Sequence, residues 1–313
     1  MIQRKSIRHV AIIGTGVIGA SWTALFLAKG LSVSATDVAP DAEAALRKFV
    51  ADAWPALKRI GLAPGASQDK LTFSADLATA VKDADLVQEN GPERIEFKKK
   101  LYGQLDAILP PDVIIASSSS GLTMSEIQSG CPQHPERCVI GHPFNPPHLV
   151  PLVEIVGGKQ TSKETIDRAA AFYTALGKKT VRLNKEVPGH VANRLQAALA
   201  REVYHLVAED VVSAADIDTA LCWGPGLRWG IMGQLMLNHL GGGPGGIEHF
   251  FQQFVGPVTA WWKVLGNPVL TAEVQKKLID GVHAEVGSRS IESLAEERDE
   301  ILLGLLALRA QYG

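Results

Sequence analysis

The stretch His9–Gly19, HVAIIGTGVIG, decides the fold of the first half of this chain. Its apolar beginning predicts a buried strand, and Gly14, Gly16 and Gly19 predict a tight turn into a helix. In a strand–turn–helix unit of this kind, the first glycine permits the turn and the second lets the backbone approach a diphosphate. The third lets helix and strand pack closely. The stretch therefore predicts a dinucleotide-binding turn.

The residues that follow these glycines predict which dinucleotide is bound. A helix from Val17 and Ile18 to about Lys29 would present its N–H groups and positive dipole end to phosphates. A second strand, over residues 31–36, ends at Asp37, where a carboxylate can bind ribose hydroxyls and would repel a 2′-phosphate. The pattern favours NAD over NADP. The predicted NAD-binding residues here are Gly14, Gly16, Val17, Ile18, Gly19 and Asp37.

The composition of the whole chain narrows the class of protein. Its 313 residues predict two domains, and 46% hydrophobic residues, 20% charged residues and a net charge of −2 are typical of a globular protein. There is neither a basic footprint for nucleic acid nor an apolar run of the ~20 residues that a membrane span needs. Cys131, Cys138 and Cys222 are too irregularly spaced for a disulfide framework or a zinc site. We expect a cytoplasmic protein without a metal.

A second informative stretch, Cys138–Val156, reads CVIGHPFNPPHLVPLVEIV. Two apolar runs flank a Pro-rich turn, and so short a connection requires antiparallel strands because a parallel return needs a long crossover. His142 and Glu154 would then meet. A carboxylate that binds one imidazole nitrogen leaves the other free to exchange a proton. We predict a general acid/base pair; without the upstream nucleotide motif, a packed histidine and a solvated glutamate would be preferred.

Two further polar segments have open interpretations. Ser117–Gly121 follows a buried strand at the edge where open α/β sheets bind ligands, although a polar turn that caps a helix is the alternative. Glu93 and Lys98 begin a charged helix, and their spacing alone predicts a solvated pair.

Pro55 is expected to kink or divide a helix between residues 40 and 61.

The composition changes near residue 186. Beyond Pro188 only helical patterns occur, the first of them predicted to run from Pro188 to Asp210. The sequence thus predicts an α/β chain with an N-terminal sheet domain, residues 1–186, and an all-helical C-terminal domain, residues 187–313. The helical half has too little core of its own, so we expect it to dock or to form a homodimer.

Taken together, these segments resemble the L-3-hydroxyacyl-CoA dehydrogenase superfamily over essentially the whole chain. The matching pieces are GTGVIG with the acid after it, ASSSSGL, GHPFNP, LVEIV and PGHVANRL. The resemblance implies a Rossmann-type NAD-binding domain and a helical domain, with substrate in the cleft between them. It implies that His142 and Glu154 are catalytic, that Ser120 and Asn193 bind the substrate oxygen, and that Glu93, Lys98 and Asn145 line the nicotinamide. Ser118 stands where many relatives carry Asn.

The second half resembles the members of that superfamily that act on small free hydroxy acids. One of these substrates carries a quaternary ammonium group. Aromatic faces bind such cations, so the resemblance makes four tryptophans cage candidates, although core or interface positions are the alternative. Arg228 could bind a substrate carboxylate or brace its turn. The four candidates are Trp223, Trp229, Trp261 and Trp262.

Two other functions stay open at this point. A CoA ester would need cations for its phosphates, and basic residues after Asp37 could supply them, although such residues also serve solubility. A non-catalytic NAD-binding protein is a different class. The basic residues are Arg47, Lys48, Lys58, Arg59 and Lys70.

Overall fold

A computed structural model describes residues 6–312 of the chain. It contains one eight-stranded sheet with the strand order β3-β2-β1-β4-β5-β6-β7-β8. Neighbouring strands are parallel except β6 and β7, which are antiparallel. The predicted α/β fold and the predicted antiparallel pair are confirmed. The strands are β1 His9–Ile13, β2 Ser32–Thr36, β3 Leu71–Phe73, β4 Leu86–Glu89, β5 Ile114–Ser117, β6 Cys138–Pro143, β7 Leu152–Gly157 and β8 Lys179–Arg182.

Helices, turns and loops connect the strands and make up the rest of the described chain. Among residues 6–312, none of them is long and apolar enough to cross a membrane. The first six are α1 Val17–Ala28, α2 Ala42–Ile60, α3 Leu77–Val81, α4 Ile95–Ile108, α5 Met124–Ile127 and α6 Lys163–Ala175. The others are α7 Ala192–Ala208, α8 Ala214–Trp223, α9 Pro225–Trp229, α10 Gln234–Gly241, α11 Gly246–Trp262, α12 Ala272–Val286 and α13 Ile291–Ala310.

Helix α1 is fixed in the largest cluster of buried apolar side chains. All of its residues from Gly19 to Ala28 are buried. Its Trp22 stacks on Phe26 with ring centroids 5.1 Å apart and lies 5.4 Å from the ring of Tyr173 in α6. Aromatic packing of this kind adds to the free energy gained by burial. The N-terminus of α1 is therefore held rigidly at the carboxyl end of β1.

Two predicted helix starts were wrong, and the helix that was predicted to be kinked or divided at Pro55 is not divided there. Helix α2 continues through Pro55, because Pro55 and Ala51 are both exposed and water can bind the carbonyl that loses its donor. Helix α4 begins after Glu93, whose side chain binds a neighbouring turn. Helix α7 begins after a turn in which Gly189 and His190 have φ of +77° and +50°, far from the φ of about −63° of a right-handed helix.

The chain divides into two compact units. The first contains the residues up to Asn193 together with Ile301–Ala307, and the second contains Arg194–Glu300 and the residues from Leu308 onward. The first unit includes the whole sheet. The described part of the second unit is helical, without a strand.

Candidate active site

His142 and Glu154 lie directly opposite each other on β6 and β7. Both side chains are buried, and His142 Nδ1 lies 2.9 Å from Glu154 Oε2. Because a carboxylate can only accept, Nδ1 carries the hydrogen and Nε2 is left to exchange a proton. The other carboxylate oxygen of Glu154 accepts the backbone N–H groups of Val191 and Ala192, at 2.8 and 3.0 Å, where α7 begins.

The charge of Glu154 is maintained by these donors. Burial alone would raise the pKa of Glu154, but hydrogen bonds from His142, Ala192 and Val191 outweigh it and lower the pKa. A carboxylate that stays ionised stabilises positive charge on His142. The arrangement can therefore accept a proton at His142 Nε2 and return it.

Glu93 organises the serine-rich turn after β5. Its Oε1 accepts hydrogen bonds from the Ser119 hydroxyl at 2.6 Å and from the backbone N–H groups of Ser120, Gly121 and Leu122 at 3.1, 2.7 and 3.0 Å. Burial opposes the charge of Glu93, yet these donors lower its pKa. Within the described residues the Ser120 hydroxyl makes no hydrogen bond. The turn thus fixes the Ser120 backbone and leaves its hydroxyl free for a ligand.

The spacing of Glu93 and Lys98 had predicted a solvated pair, and this prediction was wrong. The Lys98 side chain is 1% exposed, and its Nζ lies 2.7 and 2.9 Å from the two carboxylate oxygens of Glu89, whereas Glu93 is 3.9 Å away. Glu89 also accepts from the Ser117 hydroxyl and the Gly91 N–H, both at 2.6 Å. Buried charges are retained where they are paired and hydrogen-bonded. Sequence reasoning missed Glu89, although it ends strand β4.

Ser118, where the family resemblance had led us to expect asparagine, lies within a closed set of hydrogen bonds. Its hydroxyl donates to Asn90 Oδ1 at 2.7 Å and accepts from Gln88 Nε2 at 2.8 Å and from Trp22 Nε1 at 3.2 Å. Gln88 in turn accepts from the Tyr173 hydroxyl. The serine is therefore fully satisfied by neighbouring polar groups, and the substitution leaves no buried polar atom of Ser118 without a partner.

The loop between β6 and β7 carries Asn145, which is exposed. Lys178 Nζ donates to the carbonyls of Pro147 and Val150 and lies 5.1 Å from the centroid of the Trp22 ring. Burial lowers the pKa of Lys178 to about 7. His148 is bonded to the Ser21 hydroxyl of α1 at 2.8 Å. Sequence reasoning missed Lys178 and His148, whose hydrogen bonds hold this loop.

The glycine-rich turn fits the diphosphate of a dinucleotide. A side chain at Gly14 would come within 2.8 Å of the Asn90 carbonyl, and one at Gly19 within 1.9 Å of the Gly14 carbonyl. At Gly16, by contrast, a Cβ would meet no protein atom within 4 Å, so the backbone N–H groups that begin α1 are open to a ligand. Gly16 also provides no side-chain cap for the helix.

Asp37 fits the ribose end of the same ligand. It lies just after β2, and its carboxylate accepts from Thr15 N at 2.6 Å and from Ala39 N at 2.9 Å. Burial opposes the charge, but these donors lower the pKa of Asp37. Val17 and Ile18 form the first turn of α1. The residues therefore suit a nucleotide with two free ribose hydroxyls. Among residues 6–312, no group of three or more His, Cys, Asp or Glu side chains is arranged to hold a metal.

His190 is a further polar residue of this region that sequence reasoning missed. It is 2% exposed, its ring centroid lies 5.1 Å from that of His142, and its Nε2 is 2.9 Å from the Ser119 carbonyl oxygen. Burial lowers the pKa of His190 more than the hydrogen bond to Ser119 raises it. The only signal in the sequence was a histidine directly after Pro-Gly, which had been assigned to a helix.

The remaining predicted residues lie at the start of α7 and in the second unit. Asn193 is half-buried in the first turn of α7. Arg228 is exposed in α9, and its side chain forms no hydrogen bond or ion pair within the described part of the chain. The tryptophans of the second unit are also exposed. Trp223, Trp229, Trp261 and Trp262 are 78%, 40%, 61% and 66% exposed.

A dinucleotide turn, an acidic residue for the ribose and a histidine–carboxylate pair at one edge of the sheet define an NAD-dependent dehydrogenase. The chain matches the family description "3-hydroxyacyl-CoA dehydrogenase, NAD binding domain" over residues 9–187 and its C-terminal domain over residues 189–285. It therefore belongs to the 3-hydroxyacyl-CoA dehydrogenase family, as the sequence motifs had indicated.

Known relatives extend this comparison. The L-carnitine dehydrogenase of Pseudomonas putida is 49% identical over 96% of this chain and 93% of its own length. That of Bacillus cereus is 44% identical over 99% and 94%. Among solved structures, 5-formyl-3-hydroxy-2-methylpyridine 4-carboxylic acid 5-dehydrogenase, an NAD⁺-dependent dismutase, has a TM-score of 0.83 and 30% identity, covering 97% of this chain and 98% of that one.

Proposed function

We propose that this protein is an NAD-dependent L-carnitine 3-dehydrogenase, which oxidises the 3-hydroxyl of L-carnitine to a ketone. The buried His142–Glu154 pair carries the proposal because it supplies a base at the sheet edge that binds NAD. The L-carnitine dehydrogenases that match nearly the whole chain support the choice of substrate. Residues 1–186 would bind NAD, and residues 187–313 would bind substrate and a second copy.

His142 has the central chemical role. Its Nε2 takes the proton of the 3-hydroxyl, and Glu154 stabilises the imidazolium that results. NAD, when bound, supplies the acceptor for the hydride that leaves the same carbon. Ser120 and Asn193 donate hydrogen bonds to the substrate oxygen, so fixed dipoles meet the charge that changes there. Glu93, Lys98 and Asn145 are assigned to the nicotinamide side.

The second unit is assigned to substrate recognition. L-carnitine has a carboxylate and a trimethylammonium group. The exposed guanidinium of Arg228 is available for the carboxylate. Exposed tryptophans suit the cation, at ~0.5–2 kcal/mol for each good contact with an aromatic face. The candidates are Trp223, Trp229, Trp261 and Trp262.

Oxidation of a CoA ester is the enzymatic alternative, with L-gulonate as a further candidate substrate. The basic residues after Asp37 offer CoA little support, because several are engaged locally. Arg47 pairs with Glu43 at 2.7 Å, Lys48 pairs with Asp52 at 2.6 Å, and Lys70 donates to the Gly30 carbonyl at 3.0 Å. A non-catalytic NAD-binding role is disfavoured by the complete acid/base pair.

We also propose a homodimer formed through the second unit. Of the described residues of that unit, large apolar side chains such as Leu235, Trp262 and Val264 are 73%, 66% and 75% exposed. Exposed large apolar side chains mark interaction sites where they form a patch. Sedimentation velocity would test the dimer. A cytoplasmic location stays a prediction.

The decisive experiment is NADH formation with NAD and L-carnitine, beside D-carnitine, L-gulonate and L-3-hydroxybutyryl-CoA. Strong turnover of L-carnitine alone is expected. A preference for the CoA ester would refute the proposed substrate, and the absence of turnover with any hydroxy acid would favour the non-catalytic role.

A further inference from the structure

The two nitrogens of His190 have different environments. Nε2 lies 2.9 Å from the backbone carbonyl oxygen of Ser119, which can only accept, so Nε2 carries the hydrogen in the neutral ring. Nδ1 is then an unprotonated acceptor. It is buried and has no hydrogen-bond partner within the described residues. Buried acceptors without a partner are rare and call for a ligand, a water or a function.

The backbone of His190 gives a second reason to assign it a function. Its φ of +50° is a conformation that glycine or asparagine adopts at less cost. The turn aims the N–H groups of Val191 and Ala192 at Glu154, which glycine at this position would also permit. A histidine kept in a strained conformation therefore suggests that its side chain is used.

The surroundings of His142 indicate what that use is. His142 is 5% exposed, its Nδ1 is bound to Glu154, and its ring centroid lies 6.2 Å from that of Phe144 and 5.1 Å from that of His190. Glu154 keeps its negative charge because its pKa is lowered, so it does not remove a proton from His142. Phe144 has no group that accepts a proton. Among the rings packed against His142, His190 Nδ1 is the available base.

We propose that His190 takes the proton from His142 after the substrate hydroxyl has been oxidised, and passes it to solvent. The Nε2–H bond of His142 breaks and an Nδ1–H bond forms on His190. One water between the rings gives up one proton and receives another, since the rings are not directly hydrogen-bonded. The positive charge moves with the proton, no electrons are exchanged, and the proton then leaves Nδ1 through water. The inference rests on the proposed dehydrogenase activity.

The surrounding charges favour onward transfer. Burial lowers the pKa of His190, the hydrogen bond to Ser119 raises it, and positive charge on His142 lowers it further. Glu154 and Glu93 are the acidic groups that raise it. Because burial lowers the pKa of His190 more than these carboxylates raise it, His190 holds the proton only briefly. Hydride transfer in a first turnover needs only an unprotonated His142, so His190 becomes limiting when the enzyme must be reset.

The test separates hydride transfer from proton release. Single turnovers of His190→Gly with NAD and a substrate that the wild type oxidises are followed by NADH absorbance and by a pH-indicator dye. In the wild type, both signals should rise together. In the variant, NADH should form within about twofold of the wild-type rate, while proton release should lag by at least about 100-fold, the lower end of a general-base effect.

Chemical rescue provides the second readout. Glycine leaves a cavity that imidazole can enter, so added imidazole should restore the steady-state rate of His190→Gly. His190→Phe fills that cavity and should be equally slow but not rescued. His134→Phe makes the same substitution at a half-exposed histidine before β6 and should behave as wild type. His190→Asn, which tolerates a positive φ, replaces His190→Gly if that variant fails to fold.

Several outcomes would overturn the inference. Coincident NADH formation and proton release in both the glycine and the phenylalanine variants would do so, as would a slow hydride transfer that imidazole does not change. Nitrogen-15 NMR of the wild type needs no substrate, and a hydrogen on Nδ1 of neutral His190 would also refute the mechanism. If the wild type oxidises no hydroxy acid, the proposed function fails while the NMR result still tests the assigned tautomer.

Discussion

Tryptophan occurs in both units of this protein in opposite surroundings. Trp22 and Trp54 of the first unit are 0% and 8% exposed, whereas the four tryptophans of the second unit are between 40% and 78% exposed. The same contrast holds for apolar residues in general. Two large clusters of buried side chains pack on the sheet, but among the described residues of the second unit only Val207 and Ile217 are buried apolar side chains.

This difference in packing corresponds to two different functional requirements. Groups that exchange protons must keep fixed distances, and His142 and Glu154 are held by two strands of a unit that has its own core. The described part of the second unit instead exposes apolar and aromatic side chains. Under the proposed function, these side chains bind the substrate and a second copy of the chain.

The largest expected effect tests whether the chemistry belongs to the first unit. His142→Gln should lower kcat by at least about 10³-fold, within the usual range for loss of a general base. NAD affinity should change little, because His142 is not part of the glycine-rich turn. Steady-state kinetics and a fluorescence titration with NADH measure the two effects. Turnover that survives the substitution would place the base elsewhere.

A pair of tryptophan variants tests the contrast in packing. Trp22→Ala should lower the free energy of unfolding by about 3–5 kcal/mol, because it removes a fully buried ring. Trp262→Ala should change it by less than about 0.5 kcal/mol, since this ring is largely exposed. The second variant should instead weaken self-association or substrate binding. Urea denaturation and sedimentation velocity provide the measurements, and equal destabilisation by both would contradict the contrast.

A smaller effect is expected for Glu154→Gln. The variant should lose about 10–100-fold in kcat, because the imidazolium of His142 loses its counter-charge. The folded-state pKa of Glu154 is lowered, so its contribution to stability is complete above its ordinary pKa of about 4.5 and is lost as pH falls through the lowered value. Thermal midpoints should therefore fall less steeply in acid for the variant than for the wild type. If the thermal midpoints of the variant and the wild type fell in parallel with decreasing pH, the Glu154 carboxylate would make no contribution to the acid sensitivity of the fold.

The smallest expected effect concerns the cofactor. Asp37→Asn should raise the Kd of NAD about tenfold, which corresponds to ~1.4 kcal/mol, and should reduce the discrimination against NADP. Calorimetric titration with both nucleotides measures the change. An unchanged preference for NAD would mean that the ribose is recognised by other groups.

The fold and the contact between His142 and Glu154 could be predicted because their determinants are local. The glycine turn is encoded in a few consecutive residues, and the short connection between β6 and β7 forces His142 opposite Glu154. The environment of Lys98 could not be predicted this way. Its partner Glu89 belongs to another element, and helical spacing pointed to Glu93. The turn at His190 was also missed, because Pro-Gly fits a helix start as well as a left-handed turn.

The unequal distribution of tryptophan gives the protein an optical property. Because Trp22 and Trp54 are shielded within the first unit, a collisional quencher dissolved in water should act almost entirely on the four rings of the second unit. Emission from the shielded pair should lie further to the blue. A change in quenching on addition of a ligand would therefore report events at the second unit without any label.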